Sequence, residues 1–260
     1  MLRRRTVNGI AGITLVLLTI SSFIVEVPNW SFLFIAIVWF LITLSGSFFI
    51  RWNYHLTSLH SNKNTTKEQV AITFDDGPHP EFTPRALDLL KKYNAKATFF
   101  CIGQEVEKHP EILKRILAEG HLVGNHTYSH SKSFGFFNTD KVVSELQQTT
   151  QVIKELTGKE MKLYRPAFAV TNPMIERAVK QLKVSSIGWN VRSLDTTSRS
   201  EKMILKRITG KVSKGDVILL HDTSQKTINV LEQLLLFLQE KNLESVTVDQ
   251  LLEIEAYEAK

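Results

Sequence analysis

Three short segments of this 260-residue chain carry residues whose types and spacing suit metal-assisted hydrolysis. Thr73-Phe74-Asp75-Asp76-Gly77-Pro78 closes an apolar run with two adjacent carboxylates and a turn. Two like charges this close resist joint ionisation unless a cation lies near one of them. Asn125-His126-Thr127-Tyr128-Ser129-His130 holds two histidines four apart, a spacing that converges on one side of a helical turn and recurs among metal ligands. Ile218-Leu219-Leu220-His221-Asp222 ends a third apolar run on one imidazole. Taken singly, each has a bland reading: a loop, a solvated or core histidine pair, a hydrogen-bonded histidine at a strand end. Together their roles complement one another. One Asp and two His can hold an ion with positions left open for water and substrate, the spare Asp can take a proton, and His221 can give one to a leaving group. That combination hydrolyses an acyl bond. No Gly-x-Ser-x-Gly elbow is present, and such a reaction needs no nucleophilic side chain.

The elements that must position these residues follow from the hydropathy pattern. Residues 70–74, 97–101, 121–124, 163–165, 184–188, 216–220 and 245–248 read as strands. Between them, residues 83–93, 110–119, 140–156, 173–182, 201–211 and 227–241 read as amphipathic helices. Repeated β/α alternation predicts a parallel sheet with helical crossovers, and its length fits a small or incomplete barrel. All three chemical segments then fall at the carboxyl ends of strands, on one rim.

The first fifty residues are organised differently. Residues 7–25 and 31–50 contain no charged side chain, and each run is about the ~20 residues needed to cross a bilayer. Glu26, Val27, Pro28, Asn29 and Trp30 interrupt them. The expectation is a transmembrane helical hairpin in residues 1–51, a linker over 52–66 and a catalytic domain over 67–260. A cleaved signal peptide fits less well, because the first run is long and another follows at once. Arg3, Arg4 and Arg5 precede the first run and Arg51 follows the second, so the positive-inside rule puts both ends, and the domain, on the cytoplasmic side of the cell membrane. The formal charge of +6 is concentrated there: residues 67–260 are close to neutral, which argues against a nucleic-acid partner. A single cysteine, Cys101, excludes an intrachain disulfide and a cysteine-based metal cluster.

Over roughly residues 67–250 the sequence resembles the polysaccharide deacetylase (NodB-homology, carbohydrate esterase family 4) domain. The Thr73–Pro78, His126–His130 and Leu219–Asp222 segments match three of that family's motifs. The resemblance implies an α/β fold, a distorted seven-stranded (β/α) barrel, here preceded by the hairpin. It implies Asp75 as catalytic base, Asp76, His126 and His130 as ligands of a divalent ion, usually zinc, and His221 as general acid. Leu219 would line the acetyl pocket, and the substrate would be an N-acetylated amino sugar in polymeric, oligomeric or lipid-linked form. The resemblance also implies the extracytoplasmic side, where many members of the family act on wall polymers, against the cytoplasmic side that charge and parity favour.

Two motifs depart from the family pattern. Arg-Pro-Pro-aromatic-Gly stands here as Arg165-Pro166-Ala167-Phe168-Ala169. Arg165 would orient Asp75, and the Phe168 N–H would face the developing oxyanion. Asp-x-x-Asp-Trp stands as Arg192-Ser193-Leu194-Asp195-Thr196, retaining only Asp195; Trp189 is either a substitute groove aromatic or a core residue. Three functions fit: a deacetylase of a peptidoglycan- or chitin-like amino-sugar polymer, a deformylase or deacetylase of a lipid-linked sugar at the cytoplasmic face, and an inactive, membrane-tethered carbohydrate-binding protein. Retention of all five chemical residues favours an enzyme.

Overall fold

The computed structural model describes residues 3–258. Two helices come first, α1 (Arg4–Ser21) and α2 (Trp30–Phe48), followed by β1 (Ser58–Leu59), β2 (Gln69–Asp75), α3 (Phe82–Lys92), β3 (Ala97–Cys101), α4 (Gly103–Lys108), α5 (Pro110–Ala118) and β4 (Leu122–Asn125). Next come α6 (Thr139–Thr157), β5 (Leu163–Tyr164), α7 (Pro173–Gln181), β6 (Ser185–Ile187), β7 (Val191–Arg192) and α8 (Glu201–Thr209). The chain closes with β8 (Val217–His221), α9 (Gln225–Glu240), β9 (Glu244–Ser245) and α10 (Val248–Leu252). Helix boundaries follow side-chain chemistry: Asn138, Asn172, Ser200 and Ser224 cap α6, α7, α8 and α9 through their side chains, and Gly158 ends α6 in the left-handed conformation.

The strands pair in parallel in the order β1-β6-β5-β4-β3-β2-β8-β7, with β9 beside the start of β2. This sheet curls into an incomplete barrel whose open edges are β1 and β7. The period of two divides its strands cleanly. On β2, Val70, Ile72 and Phe74 join the outer core beneath α3, α5 and α9, while Ala71 faces the barrel interior. By the same alternation Thr73 and Asp75 face inward. On β8, Ile218 and Leu220 go outward and Val217 and Leu219 inward, which brings His221 to the same mouth.

Among the described residues nine strands stand where seven are expected. β1 and β7 are two residues each, too short to carry a hydropathy period. Residues 52–66 are accordingly no free linker: Tyr54, His55, Leu56 and Ser58 are buried, and Ser58 pairs with Ser186. The expected final strand is shorter as well, because Val248 opens α10.

α1 and α2 form an antiparallel hairpin, joined by a bond from Trp39 Nε1 to Asn8 Oδ1 (2.9 Å). Among the described residues one helix, α2, is long and apolar enough to cross a membrane; α1 carries Arg4 and Arg5 in its first turn. Both expose large apolar side chains, including Ile13, Leu17, Leu33 and Phe40. Their bases are fixed to the barrel domain. The Arg4 N–H donates to the Tyr54 carbonyl, Arg4 pairs with Glu176 at 3.2 Å, and the Thr171 N–H donates to the Ser47 carbonyl.

Candidate active site

β2 ends on Asp75, which is buried, and the chain turns sharply through Asp76, whose φ is 73°. Gly77 follows because nothing larger fits: a Cβ there would lie 2.6 Å from Asp222 Oδ2. The turn sends the two carboxylates in different directions. Asp75 meets Arg165, which is fully buried and donates from Nη1 to Asp75 Oδ1 (2.8 Å) and Thr73 Oγ1 (2.6 Å), and from Nε and Nη2 to the Ile187 and Gly188 carbonyls. Its guanidinium lies 4.0 Å above the Phe100 ring, so charge, hydrogen bonds and cation–π contact all offset its burial.

Asp76 faces the two histidines. Its Oδ1 lies 3.4 Å from His126 Nε2 and 3.4 Å from His130 Nε2, and the three donor atoms fall within 4.8 Å of one another. Ligands about 2.1 Å from a tetrahedral ion are themselves about 3.4 Å apart, so the spacing fits a divalent cation. His126 Nδ1 lies 3.0 Å from the Arg165 carbonyl; the N–H that donates there leaves Nε2 as a lone-pair donor toward Asp76. Burial works to lower the His126 pKa, but the charges of Asp75 and Asp76 outweigh it and raise it: the two carboxylates call for a positive charge between them. Burial and then His126 depress His130 to about 4, keeping that ring neutral and able to ligate. Burial also opposes ionisation of Asp76, yet its hydrogen bond to His126 and the surrounding imidazoles hold it well below the ordinary carboxylate range.

The histidines do not converge on a helical turn. They sit on an irregular loop in which Thr127 and His130 have positive φ (70° and 47°). That loop is held by a residue the sequence reading missed. Glu145 of α6, buried, accepts from the Tyr128 N–H (3.1 Å), the Ser129 N–H (2.8 Å) and the Ser129 hydroxyl (2.8 Å). Its signal was available: Glu145 interrupts the inward stripe Val142, Leu146, Thr149 and Ile153 of an amphipathic helix.

His221 ends β8 opposite Asp75. Its Nδ1 lies 2.8 Å from Asp195 Oδ1 and its backbone N–H donates to Oδ2 (2.8 Å); the Ser193 and Thr227 hydroxyls also donate to Asp195. Burial alone would lower the His221 pKa, but the Asp195 bond and the neighbouring carboxylates raise it to about 9, so the ring is protonated at neutral pH. Asp222, behind Gly77, is fully buried, and burial pushes its carboxyl up to about 7.

Phe168 and Ala169 have positive φ (55° and 61°), and the Phe168 ring packs on His130 with centroids 4.4 Å apart. Leu219 is buried inside the barrel below the rim. Trp189 belongs to the same interior cluster, 5.5 Å from the Arg165 guanidinium, and is a core residue. Arg192 is exposed, with its guanidinium 5.9 Å from the Trp189 ring.

The barrel rim thus gathers two carboxylates, a histidine pair spaced to ligate an ion and a histidine held charged by Asp195, a set suited to hydrolysis. Comparison with known proteins agrees. The polysaccharide deacetylase family model matches residues 62–187. A peptidoglycan-N-acetylglucosamine deacetylase of Bacillus cereus is 36% identical over 192 residues, 72% of this chain and 69% of that protein. The peptidoglycan-N-acetylmuramic acid deacetylase PdaC of Bacillus subtilis is 34% identical over 71% of this chain, which spans only 39% of that longer relative. Among solved structures, the Bc1960 peptidoglycan N-acetylglucosamine deacetylase superposes with a TM-score of 0.72 at 34% identity, over 77% of this chain and 94% of the other. The chain belongs to the polysaccharide deacetylase family and is a hydrolase acting on amide bonds.

Proposed function

We propose that this protein removes N-acetyl groups from an amino-sugar polymer or oligosaccharide of the peptidoglycan or chitin type. The observation that carries the reading is the placing of one carboxylate oxygen 3.4 Å from two imidazole nitrogens, beside a second carboxylate held by Arg165. Asp76, His126 and His130 would hold a divalent ion, zinc by their donor chemistry. Bound there, the ion supplies Lewis acidity, easing deprotonation of a water and polarising the acetamide carbonyl.

The side chains do the rest. Asp75, with Oδ1 fixed by Arg165, takes the proton of the attacking water on Oδ2, the oxygen that faces His126 Nε2 at 3.9 Å. The positive-φ turn at Phe168 presents backbone toward the developing oxyanion. His221, kept charged and oriented by Asp195, protonates the departing amine, so acetate and a free amino sugar leave. Purified protein should release acetate from N-acetylglucosamine oligomers and lose this activity on chelation; no release from any N-acetylated glycan would leave the inactive carbohydrate-binding reading.

The hairpin gives the second part of the reading. The base of α1 and the base of α2 both dock on the barrel domain, so the turn at 22–29 is the far end, and both helices cross a bilayer or neither does. We infer that both cross, with the chain organised as anchor (1–51) and catalytic domain. Arg3, Arg4, Arg5 and Arg51 then lie at the domain's side, which favours the cytoplasm and a lipid-linked amino sugar, acetylated or formylated, as the second candidate substrate. Protease added to intact spheroplasts decides: a protected domain supports the cytoplasmic reading, and digestion without lysis supports the wall polymer.

A further inference from the structure

We propose that a cavity at the base of α1, sharing no residue with the catalytic rim, binds the phosphate of an anionic membrane lipid. The cavity has a volume of about 550 Å³ and is walled by Arg3, Arg4, Arg5, His55, Lys180 and Lys183 among others. Glu176 is its sole acidic wall residue, and it is shared between Arg4 (3.2 Å) and Lys180 (2.5 Å). Among the described residues no carboxylate lies within 4.0 Å of Arg3, Arg5 or Lys183, so the cavity holds an excess of positive charge. The N-terminus of the 18-residue α1 adds its dipole in the same sense.

His55 supplies an independent pointer. It is 7% exposed, its Nε2 is engaged with Ser47 Oγ at 3.1 Å, and its Nδ1 is buried with no hydrogen-bond partner among the described residues. A buried polar atom left unpaired in a cationic cavity marks a missing acceptor or donor. Burial and then Arg4 depress the His55 pKa to about 4, so the ring is neutral; the Ser47 hydroxyl donates to the Thr43 carbonyl, so the ring N–H lies on Nε2 and Nδ1 is left as a lone pair lacking a donor.

A lipid is the source because of where the cavity lies. The apolar run of α1 starts at Val7, within one helical turn of Arg4, so the cavity sits at headgroup level once the hairpin is in a bilayer. This step rests on the spanning hairpin proposed above. A phosphate held there would tie the anchor, β1 and α7 into one body, since all three contribute wall residues.

The test uses the full chain in neutral detergent, with short-chain phosphatidylglycerol, short-chain phosphatidylcholine or glycerol phosphate as probe and Tm as readout. Phosphatidylglycerol should raise Tm saturably and phosphatidylcholine should not. Arg5→Glu with Lys183→Glu should weaken the apparent affinity roughly tenfold or more while leaving acetate release in the absence of lipid unchanged. His55→Gln serves as a second, milder variant and should weaken it in the same direction. Equal responses to both lipids, or an unchanged response in both variants, overturn the proposal; glycerol phosphate binding as tightly as the lipid overturns its lipid source. Binding in micelles does not require the hairpin to span, so failure of that reading would appear separately, in the protease orientation assay.

Discussion

Replacing Asp195 by Asn removes a charge 2.8 Å from His221 Nδ1 while keeping the shape of the side chain and an oxygen that can accept from the ring. In the native protein the imidazolium survives burial because Asp195, aided by Asp75 and Asp76, holds its pKa at about 9 against an ordinary value of 6.5. That rise corresponds to about 3 kcal/mol favouring the charged ring. Without the Asp195 charge, burial is opposed only by the other carboxylates, and the ring returns to about its ordinary value or below. If His221 is the general acid, the alkaline limb of kcat/KM for acetate release should move down by about two pH units. A cation at Asp76 lowers both enzymes' limbs alike, so the difference between them is the quantity to measure. Above both limbs the variant should be slower by roughly 100-fold for protonation alone, and near pH 6 the two should converge to within the cost of any misorientation. Stability carries the same sign. A raised pKa stabilises the fold fully below 6.5 and loses that contribution as pH rises through about 9, so the stability deficit of Asp195→Asn should be larger at pH 6 than near pH 10. An alkaline limb that stays in place, or an equal loss at every pH, would refute the assignment of His221 as the acid.

Arg165→Met should destabilise the domain by about 3–5 kcal/mol in chemical denaturation, because Asp75 would keep a buried charge without its partner; a loss under 1 kcal/mol would mean that Asp75 is neutralised by another group. Ala169→Gly restores the residue suited to φ 61°, and the relief of about 1–2 kcal/mol of left-handed strain less the entropy cost of glycine should leave a gain of about 0.5–1 kcal/mol without loss of activity. A lower Tm for that variant would show that the Ala169 methyl packs better than its backbone is strained.

The chemistry was legible because it sits where strands end. Alternation along β2 and β8 tells from sequence which of Thr73, Asp75, Leu219 and His221 share the barrel's inner face, and the family motifs supplied the roles. The support beneath it was less legible. Glu145 reads as one more charged residue of α6 until its place on the inward stripe is noticed, and the left-handed loop through Thr127 and His130 has no glycine to announce it. β1 is two residues in a polar stretch, and pairing with β6 is a long-range event that local pattern cannot encode, so residues 52–66 read as a linker. Asp195, the remaining carboxylate of an altered motif, does reach His221, whereas Trp189 went to the core.

The central claim is that Asp76, His126 and His130 hold a catalytic cation while Asp75, one residue away, does not. Metal content and deacetylation rate measured together on the wild type, His126→Ala and Asp75→Asn test it most directly. The wild type should bind about one divalent ion per chain, His126→Ala should lose metal and activity together, and Asp75→Asn should keep the metal while slowing roughly 10²- to 10⁴-fold. Metal retained in His126→Ala, or lost in Asp75→Asn, would contradict the division of labour between the two aspartates.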